Sequence, residues 1–83
     1  METIAKKQMT VKKQLSDILL DISWSKIAKN YFGKSPSWLY HKLDGINGSG
    51  GKDEFTYGER IQLRNGLLDL SERIRLAAER IDV

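Results

Sequence analysis

The chain has 83 residues, no cysteine, one histidine and a net charge of +3. A domain of that size buries only roughly 60–65% of the surface its unfolded chain exposes, which argues against a deep enzyme cleft. The missing thiols and single histidine exclude a disulfide framework, a cysteine nucleophile and a Cys/His zinc cluster.

No apolar run approaches the ~18–20 residues of a membrane span, and the N-terminus lacks the apolar core of a signal peptide. A soluble, cytoplasmic protein without membrane contact is expected. The charge is unevenly spread: residues 1–43 hold eight lysines against Glu2, Asp17 and Asp21, whereas residues 44–83 hold Lys52 and five arginines against eight acids. A basic half bearing polar and aromatic side chains is the electrostatic footprint of nucleic-acid contact, although surface lysines also serve solubility.

The periodicity predicts an all-α fold, a small single domain of four helices over residues 1–83. The first runs from about Thr3 to Asp21, with Val11, Leu15, Ile18 and Ile22 spaced four, three and four apart and Leu19 widening the stripe. Its outer face is rich in lysine. Ser23 reads as the N-cap of a second helix, Trp24 to Phe32, that turns Ile27, Ala28 and Tyr31 inward and places Trp24 in the core. Gly33 ends it, since glycine enters the left-handed conformation at low cost. A third helix starts at Ser35 and Pro36: the hydroxyl accepts from first-turn amides, and proline at the first helical position loses no hydrogen bond. Leu39 and Leu43 form its apolar stripe. Trp38, Tyr40, His41 and Lys42 spread over the rest of its surface.

The segment "GINGSGGKDEF", residues 45–55, has four glycines in eleven residues and reads as a flexible loop. A connector is the expected role, with a short β-hairpin wing as the alternative. It is not a phosphate loop: Gly45 and Gly50 are followed by Gly51, Lys52 and Asp53 rather than Gly-Lys-Ser/Thr, and no strand precedes them. Thr56 and Glu59 then form a capping box opening a long helix, about 57–82. Leu63, Leu67, Leu70, Ile74, Ala77 and Ile81 follow heptad spacing, and Leu68 and Leu76 broaden the seam. Gly66 weakens this helix by roughly 1 kcal/mol relative to alanine. Part of the seam is expected to pack on Val11, Leu15, Ile18 and Ile22. A helix of about 26 residues, some 39 Å long, overreaches so small a domain, so its C-terminal half is expected to meet a partner.

Residues 23–45, "SWSKIAKNYFGKSPSWLYHKLDG", resemble the helix-turn-helix of repressors of the phage-repressor and lac-repressor kinds. There an Ile-Ala pair sits in the first helix, a glycine in the turn, and a second helix often reads Ser-x-Ser-x-aliphatic and ends in Leu-Asn-Gly. The matching residues are Ile27, Ala28, Gly33, Ser35, Ser37, Leu39, Leu43, Asp44 and Gly45. The spacing from Ala28 to Gly33 is five where the repressors have four, which implies a longer first helix or a bulged turn. The chain is also similar to a family of short bacterial and phage-associated proteins of unknown function that share "IAKxYFGKSxSWLY"; that resemblance implies a helical fold and no particular activity.

The repressor resemblance implies a helix-turn-helix core and a small DNA-binding protein, a transcriptional regulator or phage-related accessory factor. Ser35, Ser37, Tyr40 and His41 would face bases. Lys26, Lys29, Lys34 and Lys42 would reach phosphates, which add affinity but carry no sequence information directly. Leu67, Leu70, Ile74, Ala77 and Ile81 would form a homodimer or partner interface. The competing reading is a protein-interaction module that uses Trp38, Tyr40 and the long helix. Trp38 is more readily a partly buried core or interface residue than a base contact. An enzyme is the weakest reading: Asp53, Glu54 and Glu59 lie near the glycine segment, but no nucleophile and base accompany them. No catalytic residue, metal, cofactor or small-molecule substrate is assigned.

Overall fold

The structure, a computed structural model, describes residues 10–83. Four helices dominate it: α1 (Val11–Gln14), α2 (Trp24–Ile27, continued by a π-helical turn over Ala28–Phe32), α3 (Pro36–Asp44) and α4 (Tyr57–Arg80). Between α3 and α4 lie two short strands, β1 (Gly45–Ile46) and β2 (Lys52–Asp53), paired antiparallel with Gly45 opposite Asp53 and Ile46 opposite Lys52. The fold is therefore mostly helical but not purely all-α. Among the described residues no helix is long and apolar enough to cross a membrane.

Within the described residues the expected first helix ends at Gln14 rather than near Asp21; its residues 3–9 lie outside those described. Thr10 is extended and caps α1, its hydroxyl accepting from the Lys13 amide at 3.1 Å. Beyond Gln14 the chain continues in tight turns, with three-residue bonds from Ser16 to Lys13, Ile18 to Leu15 and Asp21 to Ile18. At the far end of this segment one contact competes with helical pairing. The Trp24 indole nitrogen donates to the Leu19 carbonyl at 2.7 Å, taking the acceptor that a continuing helix would offer the Ser23 amide. Tryptophan gains burial and keeps its polar handle satisfied. Leu15, Ile18, Leu19 and Ile22 still pack on the core from this non-helical path.

The caps of α2, α3 and α4 stand where the sequence puts them. Ser23 accepts from Lys26, Ser35 from Trp38, and Thr56 exchanges bonds with Glu59 in a full capping box. The extra residue between Ala28 and Gly33 is absorbed by the π-turn. Gly33, left-handed at φ 64°, sends its amide to Ala28 and Lys29, and Lys34 bonds back to Ala28 at 3.0 Å. The bond from Lys34 to Ala28 spans one residue more than the corresponding bond that ends an ordinary α-helix at glycine.

The core is Trp24, Ile27, Ala28, Leu39, Leu43, Phe55 and Leu63. The segment 45–55 contributes to it through Phe55 and is not the featureless loop its glycine content suggests. Asn47 organises the hairpin: its side-chain oxygen accepts from Ser49 at 2.8 Å and Gly51 at 3.0 Å, while Gly50 supplies a positive φ.

Helix α4 seats on α2 through Tyr31 and Gly66. A Cβ at Gly66 would lie 2.9 Å from Tyr31 Cγ and 3.2 Å from its Cβ. Around that contact, Gln62 donates to the Tyr31 carbonyl at 2.9 Å, the Tyr31 hydroxyl donates to Asp69 at 2.6 Å, and Arg73 donates to that hydroxyl at 3.0 Å. Gly66→Ala should raise helix propensity by roughly 1 kcal/mol yet lower the stability of this protein by about 1–3 kcal/mol, because the near side of the ring cannot yield. Urea unfolding measures the sign; a more stable variant would contradict the packing described.

Candidate nucleic-acid interface

Helix α3 has nine residues and two clearly different sides. Leu39 and Leu43 are buried, and at 100° per residue Ser37, His41 and Asp44 fall on the arc away from them, with Tyr40 at its edge. Ser37 is exposed and Tyr40 is 46% exposed. His41 is half-buried, with its ring close to Gly48 at the hairpin tip. Ser35 sits at the helix entrance, where its oxygen already accepts from the Trp38 amide at 3.2 Å; its hydroxyl hydrogen remains for a further contact. Of the four residues expected to face bases, Ser37 and Tyr40 are open, His41 is shielded on one side and Ser35 doubles as the cap.

Trp38 and Lys42 occupy a flank turned toward the protein. The Trp38 ring lies 5.0 Å from Phe32 and 6.4 Å from Phe55, in an edge-on contact with the latter. Lys34 and Lys42 stand over it at 5.7 and 5.6 Å, within cation–π range. Lys42 departs from the free phosphate-reaching position expected of it. Its side chain is 11% exposed and pairs with Asp53 at 3.0 Å and Glu59 at 3.2 Å, with the Glu54 carbonyl at 3.3 Å. The cause is chain topology: the hairpin carries Asp53 under α3, and the capping box holds Glu59 beside it. Lys26, Lys29 and Lys34 are exposed on α2, the π-turn and the turn before α3.

The described segment coincides almost entirely with one known unit: residues 11–81 match the model of a family described as Domain of unknown function (DUF5053). The chain belongs to the DUF5053 family. No curated protein and no solved structure matches it. The DUF5053 segment contains every residue of α3, the preceding lysines and the whole heptad seam of α4. In that seam Leu67 and Leu70 are half-buried against the core, whereas Ile74, Ala77 and Ile81 are exposed.

Two charged contacts escape sequence reasoning because their partners are distant along the chain. Lys12 pairs with Asp44 at 2.9 Å across the end of α3, and Lys42 joins the hairpin to α4. Lys52, exposed on β2, adds a further cation near the end of α3. Its signal in the sequence is a lone lysine among glycines and acids.

Burial pushes the Glu59 carboxyl upward, but the Thr56 amide and the Lys42 ammonium outweigh it and hold its pKa below the ordinary glutamate value. For Lys42, burial pulls the pKa down, and the hydrogen bonds and charges of Asp53 and Glu59 more than offset that pull, leaving it raised. A depressed carboxylate contributes stability above its unfolded pKa and loses it as pH falls through the folded value. The raised lysine keeps its contribution throughout the acid range. Stability should therefore decline as pH drops below about 4.5. Glu59→Gln retains an oxygen for the cap while removing the charge, so it should cost about 1 kcal/mol at pH 7 and flatten the acid profile. Parallel pH profiles for the two proteins in thermal unfolding would contradict this assignment.

Proposed function

We propose that the chain is a small DNA-binding protein in which α2, the π-turn and α3 act as a helix-turn-helix and α3 enters the major groove. The observation that carries this reading is the two-sidedness of α3. Its aliphatic residues and Trp38 are committed to the core, while Ser37 and Tyr40 face outward and three exposed lysines stand on the elements leading into it. An α-helix about 10–12 Å in diameter fits a B-DNA major groove about 12 Å wide. Further support comes from the π-turn: by absorbing the one extra residue, it keeps Gly33 left-handed and Ser35 as the cap of α3.

In this reading Tyr40, Ser37 and the open side of His41 meet base edges, with Ser35 at the helix entrance. Lys26, Lys29 and Lys34 neutralise phosphates. Lys42 holds the reading helix in place and contacts no phosphate. A transcriptional regulator or a phage-related accessory factor is the corresponding role. An aromatic docking surface on α3 has less support, because Trp38 is turned against Phe32 and Phe55.

Fluorescence anisotropy of labelled duplex DNA at several salt concentrations tests the reading. Log K should fall linearly with log salt, and Lys29→Ala/Lys34→Ala should weaken binding and reduce the slope by roughly 0.9 for each phosphate no longer neutralised. Tyr40→Ala should alter the preference among sequences while leaving the slope unchanged. Absence of binding at low salt would overturn the proposal.

A further inference from the structure

Among the described residues, helix α4 carries two uncovered features that match one another. An open apolar groove of about 530 Å³ runs between residues 11–22 and the helix, with Val11, Leu15 and Ile18 on one wall and Leu63, Leu67 and Ile74 on the other. Past the end of the groove the helix overhangs the domain. Every residue from Ser71 to Val83 is exposed, including Ile74 at 57% and Ile81 at 66%.

We propose that a second copy of this chain fills the groove, the two α4 helices lying antiparallel across a two-fold axis near Ser71. One symmetric contact then covers both features at once, since each copy offers an aliphatic helix to the groove of the other. The groove side of α4 continues without interruption into the overhang: Arg60, Arg64, Leu67 and Ser71 share a helical face with Ile74 and Ala78. Ser71 and Ala78 are small, which lets the helices approach.

Charge selects the orientation. In the antiparallel arrangement residues 78–82 of one copy come level with residues 60–64 of the other, setting Asp82 near Arg60 and Arg64, while Glu79 stays paired with Arg75 of its own chain at the side of that face. A parallel arrangement would set like arginines side by side, which is unfavourable. The inference concerns α4 and the groove alone and is independent of DNA binding by α3.

Sedimentation velocity on the full chain, with and without Ile74→Glu/Ile81→Glu, tests it. Both isoleucines are exposed in the single chain, so the variant should keep its far-ultraviolet circular dichroism. The unaltered protein should sediment with the mass of two chains at tens of micromolar and the variant with half that mass. Because the chain has no cysteine, orientation can be read from Arg64→Cys and Ala78→Cys proteins. A mixture of the two should form a disulfide-linked pair in several-fold higher yield than either alone. A single-chain mass at hundreds of micromolar, a dimer that survives the double substitution, or equal cross-linking of each cysteine variant with itself would overturn the proposal.

Discussion

The Tyr31 ring lies against the bare backbone that Gly66 leaves on α4, and the placement of the other elements follows from that contact. Gln62, Gly66, Asp69 and Arg73 are spaced four, three and four along one face of the helix and all engage Tyr31. The ring gains close packing while its hydroxyl and carbonyl are satisfied, so burial incurs no unpaired polar group. Tyr31 belongs to the π-turn, one element before α3. Holding it on α4 fixes the direction in which the chain leaves Gly33 and enters the next helix.

A second tie acts from the other end. Lys42 joins α3 to the hairpin through Asp53 and to the start of α4 through Glu59, beside the cluster of Phe32, Trp38 and Phe55. A lysine so enclosed is favourable only because two carboxylates and a carbonyl receive it. Between the two ties, α3 has little freedom to rotate about its axis. Ser37 and Tyr40 are thereby held outward, and rigid display is what reading base edges requires. The same anchoring leaves the far half of α4 beyond the domain, where its aliphatic residues find no cover among the described residues.

Local chemistry is readable from the sequence; long-range chemistry is not. The caps at Ser23, Ser35 and Thr56, the glycine at the end of α2 and the inward pair Leu39 and Leu43 depend on residues within a turn of one another. The first helix gives way to turns after Gln14, and Trp24 reaches back to the Leu19 carbonyl at their end; apolar spacing carries no information about either. The hairpin is only the second reading of its glycine-rich segment, because the glycines suit the turn that Asn47 builds rather than excluding strands. In α4 the aliphatic heptad draws attention to Leu63 and Leu67, whereas the face that clasps Tyr31 is polar around one glycine. The outward residues of α3 are legible because two leucines define its inner side. The commitment of Lys42 is not, since Asp53 and Glu59 lie well beyond the helix in sequence.

The most direct test of α3 as a reading helix is nuclear magnetic resonance of the isotope-labelled chain titrated with a short DNA duplex. Saturable shifts centred on the amides of Ser35 to His41 and on Lys29 and Lys34, with α4 beyond Ser71 unperturbed, are the expected result. Shifts confined to α4, or no shifts at millimolar duplex and low salt, would contradict the account.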